Sequence, residues 1–305
     1  MNDFETTQGA THCGYVALVG APNAGKSTLM NRIVGAKVSI VTPKVQTTRA
    51  RVIAVLVRGA AQIVFIDTPG IFDPKRRLER AMVAAAWSGA ADADVVAVLV
   101  DARAGIGPDT NAIVEGLRKA RRKAVLVLNK IDLVPPAELL TLTAELNESG
   151  IFTDVFMVSA LTGDGVEDLV AYLAGRMGEG PWLYPEDHLS DMNDRLFAAE
   201  ITREKLFMAL RQELPYSLTV ETESWEELKD GSVKINQVIY VERAGHRGII
   251  LGKQGQQIKQ IGADSRTELA AHLGRKVHLF LFVKVREKWR DDPERYREMG
   301  LEFGD

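Results

Sequence analysis

The chain has 305 residues, of which 46% are hydrophobic and 26% charged, so it can bury a sizeable core and has room for two domains. It contains no run of about 18 uncharged apolar residues, which excludes a membrane-spanning helix. The single cysteine, Cys13, excludes an internal disulfide and a cysteine metal cluster, fits a reducing cytoplasm and predicts no disulfide-linked partner. Residues 1–12 have neither a basic start nor an apolar run, so we expect a flexible lead-in without a secretory signal.

Residues 13–178 alternate apolar strands with longer helical stretches, which predicts an α/β domain. Several strands are continuous Val, Ile and Leu runs, as in a mostly parallel six-stranded sheet with helices on both faces. The predicted strands are Tyr15–Val19, Val52–Val57, Ile63–Ile66, Val95–Val100, Ala124–Leu128 and Val155–Val158. The predicted helices are Lys26–Ile33, Leu78–Gly89, Asp109–Ala120, Pro136–Asn147 and Val166–Met177. Residues 179–190 break both periodicities and form the predicted linker.

A glycine-rich segment, GAPNAGKS, joins the first predicted strand to the first predicted helix. This is the G-x-x-x-x-G-K-S pattern in the context it requires, and the alternative is a plain glycine turn. Backbone N–H groups and the helix N-terminus would face a triphosphate, Lys26 would reach the β and γ oxygens, and Ser27 would ligate Mg²⁺. The predicted nucleotide contacts here are Gly20, Ala21, Pro22, Asn23, Ala24, Gly25, Lys26, Ser27 and Thr28.

The segment NKID follows a later predicted strand and distinguishes guanine from adenine. A carboxylate at Asp132 offers two acceptors to the adjacent N1–H and 2-amino donors of guanine, whereas adenine has no such pair. Asn129 and Lys130 complete this predicted base-binding motif. The triplet Ser159, Ala160 and Leu161 follows the last strand of the domain and could pack against the base.

Two further polar loops would contact the γ-phosphate and the metal ion. Asp67, Thr68, Pro69 and Gly70 follow a buried strand, so Asp67 could reach Mg²⁺ and the Gly70 N–H could reach the γ-phosphate. The alternative is a Pro-Gly turn with a solvated Asp67. Upstream, the loop VQTTR offers a threonine to Mg²⁺, and we favour Thr48 over Thr47. The predicted metal ligands are therefore Ser27, Thr48 and Asp67.

Residues 191–305 have a different order of elements, with a helix near Asp191–Glu213 and strands near Ser217–Ser224 and Val233–Val241. Two helices around the sequence GKQG and a last strand, Lys276–Val285, follow. The loop with its flanking isoleucines resembles KH domains of type II, which are α+β domains that bind about four nucleotides of single-stranded RNA. The predicted RNA contacts are Ile250, Gly252, Lys253, Gln254, Gly255 and Lys259.

Charge supports a nucleic-acid partner for this part of the chain. Between Arg243 and Arg290 there are eleven basic and three acidic residues, a local net charge of +8, which leaves −11 for the rest of the chain. A basic block on an acidic protein is typical of a nucleic-acid-binding domain, although a solvated charged face has the same composition.

Three details of this region are predicted separately. The sequence Ser265 to Glu268 is a capping box, so we expect a helix to start there. In the last strand Phe280 and Phe282 share one face, which could stack on bases but is expected to be structural. The tail after Val285 begins with basic residues that could contact RNA, and a solvated terminal helix is the alternative.

The ordered set GAPNAGKS, QTTR, DTPG, NKID and SAL, followed by the KH signature, resembles the Era family of translation-factor-like GTPases over almost the whole chain. The resemblance implies GTP hydrolysis to GDP, Mg²⁺, and binding of the 3′ end of small-subunit ribosomal RNA during assembly of the small ribosomal subunit. It also implies a cytoplasmic location with possible peripheral contact to the membrane. The alternative is an RNA-binding GTPase whose switch controls a membrane or protein partner. A third hypothesis is a GTPase that supports an RNA-modifying enzyme, but the sequence shows no second catalytic site.

The residues that could catalyse hydrolysis are predicted separately from those that bind the nucleotide. Ras-type enzymes place a Gln after the glycine of this loop to orient water, but here Gly70 is followed by Ile71, so slow intrinsic turnover is expected. Asn23 stands where related GTPases coordinate an activating K⁺, and stabilisation of the loop is the alternative. The predicted catalytic set is Asn23, Lys26, Thr48 and Gly70.

Overall fold

The structure is a computed structural model that describes residues 10–303, so the first nine residues of the predicted lead-in lie outside the described residues. The described chain divides into two compact units. The first comprises residues 10–39, 48–191 and 299–303, and the second comprises residues 40–47 and 192–298. In the described part of the chain, no helix is both long and apolar enough to cross a membrane.

The first unit is built on one twisted sheet. Six strands follow the order β2-β3-β1-β4-β5-β6, with β2 antiparallel to β3 and the other neighbours parallel. A two-residue strand, β7, pairs antiparallel with β1. The strands are β1 (His12–Gly20), β2 (Val52–Arg58), β3 (Ala61–Asp67), β4 (Val95–Asp101), β5 (Ala124–Asn129), β6 (Phe152–Val158) and β7 (Gly178–Glu179). The predicted fold class of this unit is confirmed.

Five helices accompany this sheet: α1 (Lys26–Val34), α2 (Arg77–Asp92), α3 (Pro108–Lys119), α4 (Pro136–Asn147) and α5 (Val166–Ala174). Strands β3 and β5 are completely buried, and β1 is buried from Val16 to Gly20, which explains why they contain continuous apolar runs in the sequence. A large apolar cluster joins Val96, Val98, Leu126 and Leu128 of the sheet to the helices. The carboxyl ends of the parallel strands are therefore held rigidly, and the polar loops follow from them.

The predicted linker, residues 179–190, lies against the first unit. The buried side chain of Gln62 accepts hydrogen bonds from the N–H groups of Leu183 (2.8 Å) and Tyr184 (3.0 Å) and donates one to the Tyr184 carbonyl (2.8 Å). Further on, the Val55 N–H donates to the Leu189 carbonyl at 3.0 Å. These bonds give this segment a fixed course despite its lack of periodicity.

The second unit contains a three-stranded sheet in the order β10-β9-β8, with β8 antiparallel and β10 parallel to β9. Its elements are α6 (Asp194–Ala209), β8 (Leu218–Glu227), β9 (Val233–Val241), α7 (Ala244–Leu251), α8 (Gln256–Leu273), β10 (Val277–Val285) and α9 (Pro293–Glu298). Helices α6, α7 and α8 pack on one face of the sheet through two apolar clusters. This is the predicted helix-strand-strand-helix-helix-strand order, and it confirms the fold class of this unit.

Two predictions for this unit were wrong. Ser265 does not begin a helix, because α8 runs unbroken from Gln256 to Leu273. Ile261, Ser265 and Leu269 are all buried and stand four residues apart, so the buried face continues through the capping-box sequence. Phe280 and Phe282 are not buried structural residues, since 47% and 50% of their surfaces are exposed on the sheet face away from the helices.

The tail after β10 is not a solvated helix. Trp289 and Tyr296 are buried, and the Trp289 indole N–H donates to the Ser217 carbonyl at 3.3 Å. The guanidinium of Arg295, also buried, lies 4.3 Å from the centre of the Tyr240 ring. Trp289 and Tyr296 therefore add to the core of the second unit.

Candidate functional site

The phosphate-loop sequence forms a compact turn between β1 and α1. Gly25 precedes the helix in a left-handed conformation with φ of 95°, and Lys26 is its first residue. A Cβ on Gly25 would lie 2.2 Å from the amide nitrogen of Asn129, so no larger residue fits. The buried Asn129 also donates to the Ala24 carbonyl (2.8 Å) and accepts from the Ala160 N–H (3.0 Å). One side chain thus links three of the predicted nucleotide-binding segments.

Lys26 is folded back into this loop. Its ammonium group is buried and donates to the carbonyls of Gly20 and Ala21, each at 3.1 Å. Burial lowers the pKa of Lys26 to about 8, and the nearby charge of Asp67 opposes the shift. A polyanion beside this ammonium would favour its charged form. The arrangement fits a phosphate-binding lysine.

Four polar side chains meet at the carboxyl end of β3. The Asp67 Oδ2 atom accepts from the hydroxyls of Ser27 (2.7 Å), Ser39 (3.0 Å) and Thr48 (3.2 Å), and the Ser27 and Thr48 oxygens are 2.9 Å apart. Burial raises the pKa of Asp67, while Lys26 and these hydroxyls oppose that shift. Ser39 was not predicted from the sequence, because no recognisable motif surrounds it.

This cluster fits a magnesium ion by its chemistry. The Asp67 Oδ1 atom is buried and has no hydrogen-bond partner among residues 10–303, which is costly for an acceptor. A carboxylate with two adjacent hydroxyls is the hard oxygen donor set that Mg²⁺ prefers. Asp67, Ser27 and Thr48 are therefore the residues that would hold the ion.

Thr47, the residue before Thr48, faces away from this cluster. The Thr47 hydroxyl donates to the Lys44 carbonyl at 2.7 Å and lies 2.6 Å from the Thr42 hydroxyl. The structure thus brings Thr48, and not Thr47, together with Ser27 and Asp67. Thr68 also turns inward, since its hydroxyl donates to the Leu18 carbonyl of β1 at 2.8 Å. Thr68 therefore fixes its loop to the sheet.

The base-binding motif follows β5. Lys130 adopts a left-handed conformation with φ of 64° and its ammonium lies 2.5 Å from an Asp101 carboxylate oxygen. Asp132 is exposed in the short helical turn that precedes α4, where its carboxylate is accessible to a ligand. In the SAL segment Ser159 and Ala160 are buried, whereas 70% of the Leu161 surface is exposed. Leu161 is thus the member of this triplet that can contact a base with its side chain.

Gly70 and Asn23 of the predicted catalytic set, and Ile71 next to Gly70, differ in their surroundings. Ile71 is buried in the apolar cluster of the sheet, and its N–H donates to the Gly20 carbonyl at 3.1 Å. Gly70, just before it, lies against Pro22 of the phosphate loop. Asn23 is exposed at the tip of that loop with a positive φ of 62°. An apolar, buried Ile71 cannot orient a water molecule for attack on a phosphate.

The GKQG loop of the second unit connects α7 to α8 and is accessible. Gly252 has φ of 69°, and a Cβ there would lie 2.7 Å from the Cβ of Gln257. Lys253 and Gln254 are exposed at the tip, Gly255 is half-buried, and Lys259 is exposed on the first turn of α8. The loop therefore offers bare backbone flanked by two positive charges.

Not every predicted RNA contact lies at this surface. Ile250 is completely buried in an apolar cluster with Ile261, so its side chain holds α7 on the sheet. The other predicted contacts, from Gly252 to Lys259, lie in the loop and on the first turn of α8.

The fold and these sites define a P-loop GTPase followed by a KH domain. Residues 15–130 match the family described as 50S ribosome-binding GTPase, and residues 213–290 match the KH domain family. The chain is 60% identical to GTPase Era of Mesorhizobium japonicum over 304 residues, covering 99% of this chain and 98% of that protein. It is 61% identical to GTPase Era of Afipia carboxidovorans over 293 residues, covering 96% and 95%.

Solved structures of Era proteins have the same fold as this chain. A single-residue variant of Aquifex aeolicus Era, bound to GDP and AlF₄⁻, superposes with a TM-score of 0.90 at 41% identity, covering 95% of this chain and 99% of that one. The same values describe an Era structure in complex with MgGDPNP and nucleotides 1506–1542 of 16S ribosomal RNA. The chain belongs to the Era family of GTPases. It is a GTPase, as predicted.

Proposed function

We propose that this GTPase binds single-stranded RNA through its second unit, and that its target is the 3′ end of small-subunit ribosomal RNA. The observation that carries the proposal is the exposed GKQG loop. Gly252 and Gly255 allow close approach of a nucleic-acid backbone, and Lys253 and Lys259 supply charge for the phosphates. The Era relative bound to nucleotides 1506–1542 of 16S ribosomal RNA supports the choice of RNA.

In the nucleotide site each residue has a distinct proposed role. Lys26, which now donates to two loop carbonyls, would give its charge to the β- and γ-phosphates, and Asp132 would accept from guanine N1–H and the 2-amino group. Ser27, Thr48 and Asp67 would hold Mg²⁺, which neutralises charge on the phosphates when bound. The Gly70 N–H would contact the γ-phosphate. Because Thr48 and Gly70 sense that phosphate, the loops around them would order with GTP and relax with GDP.

The role of the switch follows from joining these two sites in one chain. In the GTP state the protein would bind RNA and the small ribosomal subunit during its assembly, and in the GDP state it would leave. The alternative is that GTP controls a membrane or protein partner and leaves RNA affinity unchanged. The two hypotheses agree on both ligands and differ only in whether nucleotide changes RNA affinity.

The decisive experiment measures RNA affinity in the two nucleotide states. An RNA with the sequence of nucleotides 1506–1542 of 16S ribosomal RNA would be titrated with the full chain plus GDP or a non-hydrolysable GTP analogue. Salt must be identical in both arms, because phosphate contacts make such affinities strongly salt-dependent. We expect tighter binding with the GTP analogue. Equal affinity would reject the assembly switch, and absence of binding in both arms would reject the RNA partner.

The cellular partners are part of the same proposal. Co-sedimentation with small ribosomal subunits should require the GTP analogue and should fail for Gly252→Asp. We propose a cytoplasmic location, and peripheral membrane contact belongs to the alternative hypothesis. Fractionation of cells would separate the two, because a membrane-bound pool that is retained at physiological salt and released by high-salt washing would favour the alternative.

A further inference from the structure

Three hydroxyl groups converge on the Oδ2 atom of Asp67. Two of them belong to Ser27 and Thr48, which are proposed metal ligands, whereas the third belongs to Ser39 and lies 3.0 Å from the same oxygen. Asp67 is completely buried and Ser39 exposes only 3% of its surface. The hydrogen bond between them therefore lies in surroundings of low dielectric constant, where such a bond is strong and its loss is costly.

Helix α1 fixes the position of Ser39. The helix ends at Gly35, which has a left-handed φ of 69°, and residues 38 and 39 then lie beside the helical residue Asn31. The Asn31 Oδ1 atom accepts from the N–H groups of Val38 (2.9 Å) and Ser39 (3.0 Å), and its amide donates to the Ser39 carbonyl (2.7 Å). One side chain thus binds both backbone polar groups of Ser39, so the hydroxyl reaches Asp67 from a fixed backbone.

The Ser39 bond differs from the other two in what it depends on. The Ser27 and Thr48 hydroxyls would offer lone pairs to the metal ion, and Thr48 is also proposed to respond to the γ-phosphate. The Ser39 bond is supported by α1, the helix that begins at the phosphate loop, and requires no γ-phosphate. Ser39 can therefore hold the Asp67 carboxylate in the same orientation with GTP and with GDP.

We propose that Ser39 is a positioning residue for Mg²⁺ in both nucleotide states, an inference that rests on the proposed magnesium site. Its hydroxyl holds the Asp67 carboxylate in the orientation that the metal ion requires, and Asn31 holds Ser39. Hydrogen-bond partners of metal ligands commonly change metal affinity by about tenfold to a hundredfold, although they do not touch the metal. Ser39 thus acts through Asp67.

The test separates affinity for Mg²⁺ from affinity for the nucleotide. The full chain is titrated with fluorescent GDP or a fluorescent non-hydrolysable GTP analogue, first in EDTA and then at increasing concentrations of free Mg²⁺. The titration in EDTA gives nucleotide affinity without metal, and the series gives the Mg²⁺ concentration of half-maximal effect. For Ser39→Ala we expect this concentration to rise about tenfold to a hundredfold with both nucleotides, while the affinity in EDTA stays as in the natural protein.

Two further variants follow the route of the effect. Thr48→Ala should raise the half-maximal Mg²⁺ concentration with the GTP analogue alone, because its contact is proposed to form only in that state. Asn31→Ala should weaken Mg²⁺ binding as Ser39→Ala does. In the combined variant Ser39→Ala should cost less than it does in the natural chain, since both changes remove the same support of Asp67.

Ser232→Ala is the matched control. Ser232 is also buried, and its hydroxyl also donates to an aspartate, Asp230, at 2.5 Å, but this pair lies in the turn between β8 and β9 of the second unit. The variant should keep the natural Mg²⁺ dependence with both nucleotides.

Three results for Ser39→Ala would overturn the proposal. They are an unchanged Mg²⁺ dependence, an equal loss of nucleotide affinity in EDTA and in Mg²⁺, as general disruption of the loop would cause, and a loss confined to the GTP analogue. If Mg²⁺ does not raise the nucleotide affinity of the natural protein, the proposed magnesium site is wrong, and the role of Ser39 with it. A normal Mg²⁺ effect in the natural protein that the variant retains rejects the role of Ser39 alone.

Discussion

At the scale of single residues, Asn23 has two competing roles. Asparagine tolerates the left-handed conformation that it adopts, so it could simply stabilise the turn of the phosphate loop. It is also exposed beside the segment that would face the triphosphate, where its carbonyl oxygen could help to coordinate K⁺. Because Ile71 is buried and apolar, it cannot orient the attacking water, so another element must assist hydrolysis.

The first prediction separates these roles by the choice of salt. We expect GTP turnover to be at least about tenfold faster in KCl than in NaCl at equal ionic strength, because a cation near the β–γ bridge acts like a fixed charge-stabilising group. Asn23→Ala should abolish the difference and leave the slow rate seen in NaCl. Phosphate release under saturating GTP and Mg²⁺ is the measurement.

The matched control is Asn111→Ala, which removes an exposed asparagine from α3, away from the loop sequence. This variant should keep the full potassium effect. Equal turnover of the natural protein in the two salts would eliminate the cation hypothesis and leave Asn23 as a loop-stabilising residue.

The direction of side chains in loops is the feature of the site that the sequence predicts least well. Lys26, Asp67 and Asn129 were predicted because each directly follows a predicted strand or begins a predicted helix. In the structure Lys26 begins α1, and Asp67 and Asn129 are the last residues of β3 and β5. Thr47 and Thr48 could not be separated with certainty, since an irregular loop has no period that fixes the direction of a side chain. The structure distinguishes the two threonines, because the Thr47 hydroxyl forms hydrogen bonds with Lys44 and Thr42.

At the scale of elements, one buried side chain holds the middle of the predicted linker. Gln62 of β3 forms three hydrogen bonds with the backbone of Leu183 and Tyr184. Loss of a partner leaves partly buried backbone groups without hydrogen bonds, at about 1–3 kcal/mol each unless water reaches them. The linker's course is therefore determined by the sheet and not by its own sequence.

The second prediction follows for Gln62→Leu. We expect this variant to lower the stability of the first unit by about 1–3 kcal/mol and to release residues 179–190 for proteolysis. Thermal unfolding measures the first effect, and limited proteolysis with mass-spectrometric mapping of the cut sites measures the second.

Gln260→Leu provides the comparison, because that exposed glutamine bonds only to Asp264 within α8 among the contacts described. Its effect should stay within about 0.5 kcal/mol, as for ordinary surface substitutions. If both variants leave the cleavage pattern of the natural protein unchanged, Gln62 does not hold the linker.

Most elements followed from the sequence because their apolar periods are long and clear. The errors arose where a local signal competed with tertiary packing. The capping box at Ser265 is a valid local motif, but the buried face through Ile261 and Leu269 keeps α8 continuous.

At the scale of the whole molecule, the two ligands are linked by thermodynamics. If the GTP analogue tightens RNA binding by some factor relative to the nucleotide-free protein, RNA must tighten binding of the analogue by the same factor. This equality holds for any route of communication through the chain. It therefore tests the coupling itself, without reference to the residues that transmit it.

The third prediction is that saturating RNA increases affinity for the GTP analogue by about 5- to 150-fold, the usual range of coupling free energies, and changes GDP affinity less. Competition with a fluorescent nucleotide at fixed salt gives both affinities. In Gly252→Asp, which should not bind RNA because a side chain at this glycine meets Gln257, added RNA should leave both nucleotide affinities unchanged. If RNA has no effect on either nucleotide although it binds, the GTPase responds to another partner, and the hypothesis of a membrane or protein target replaces the assembly switch.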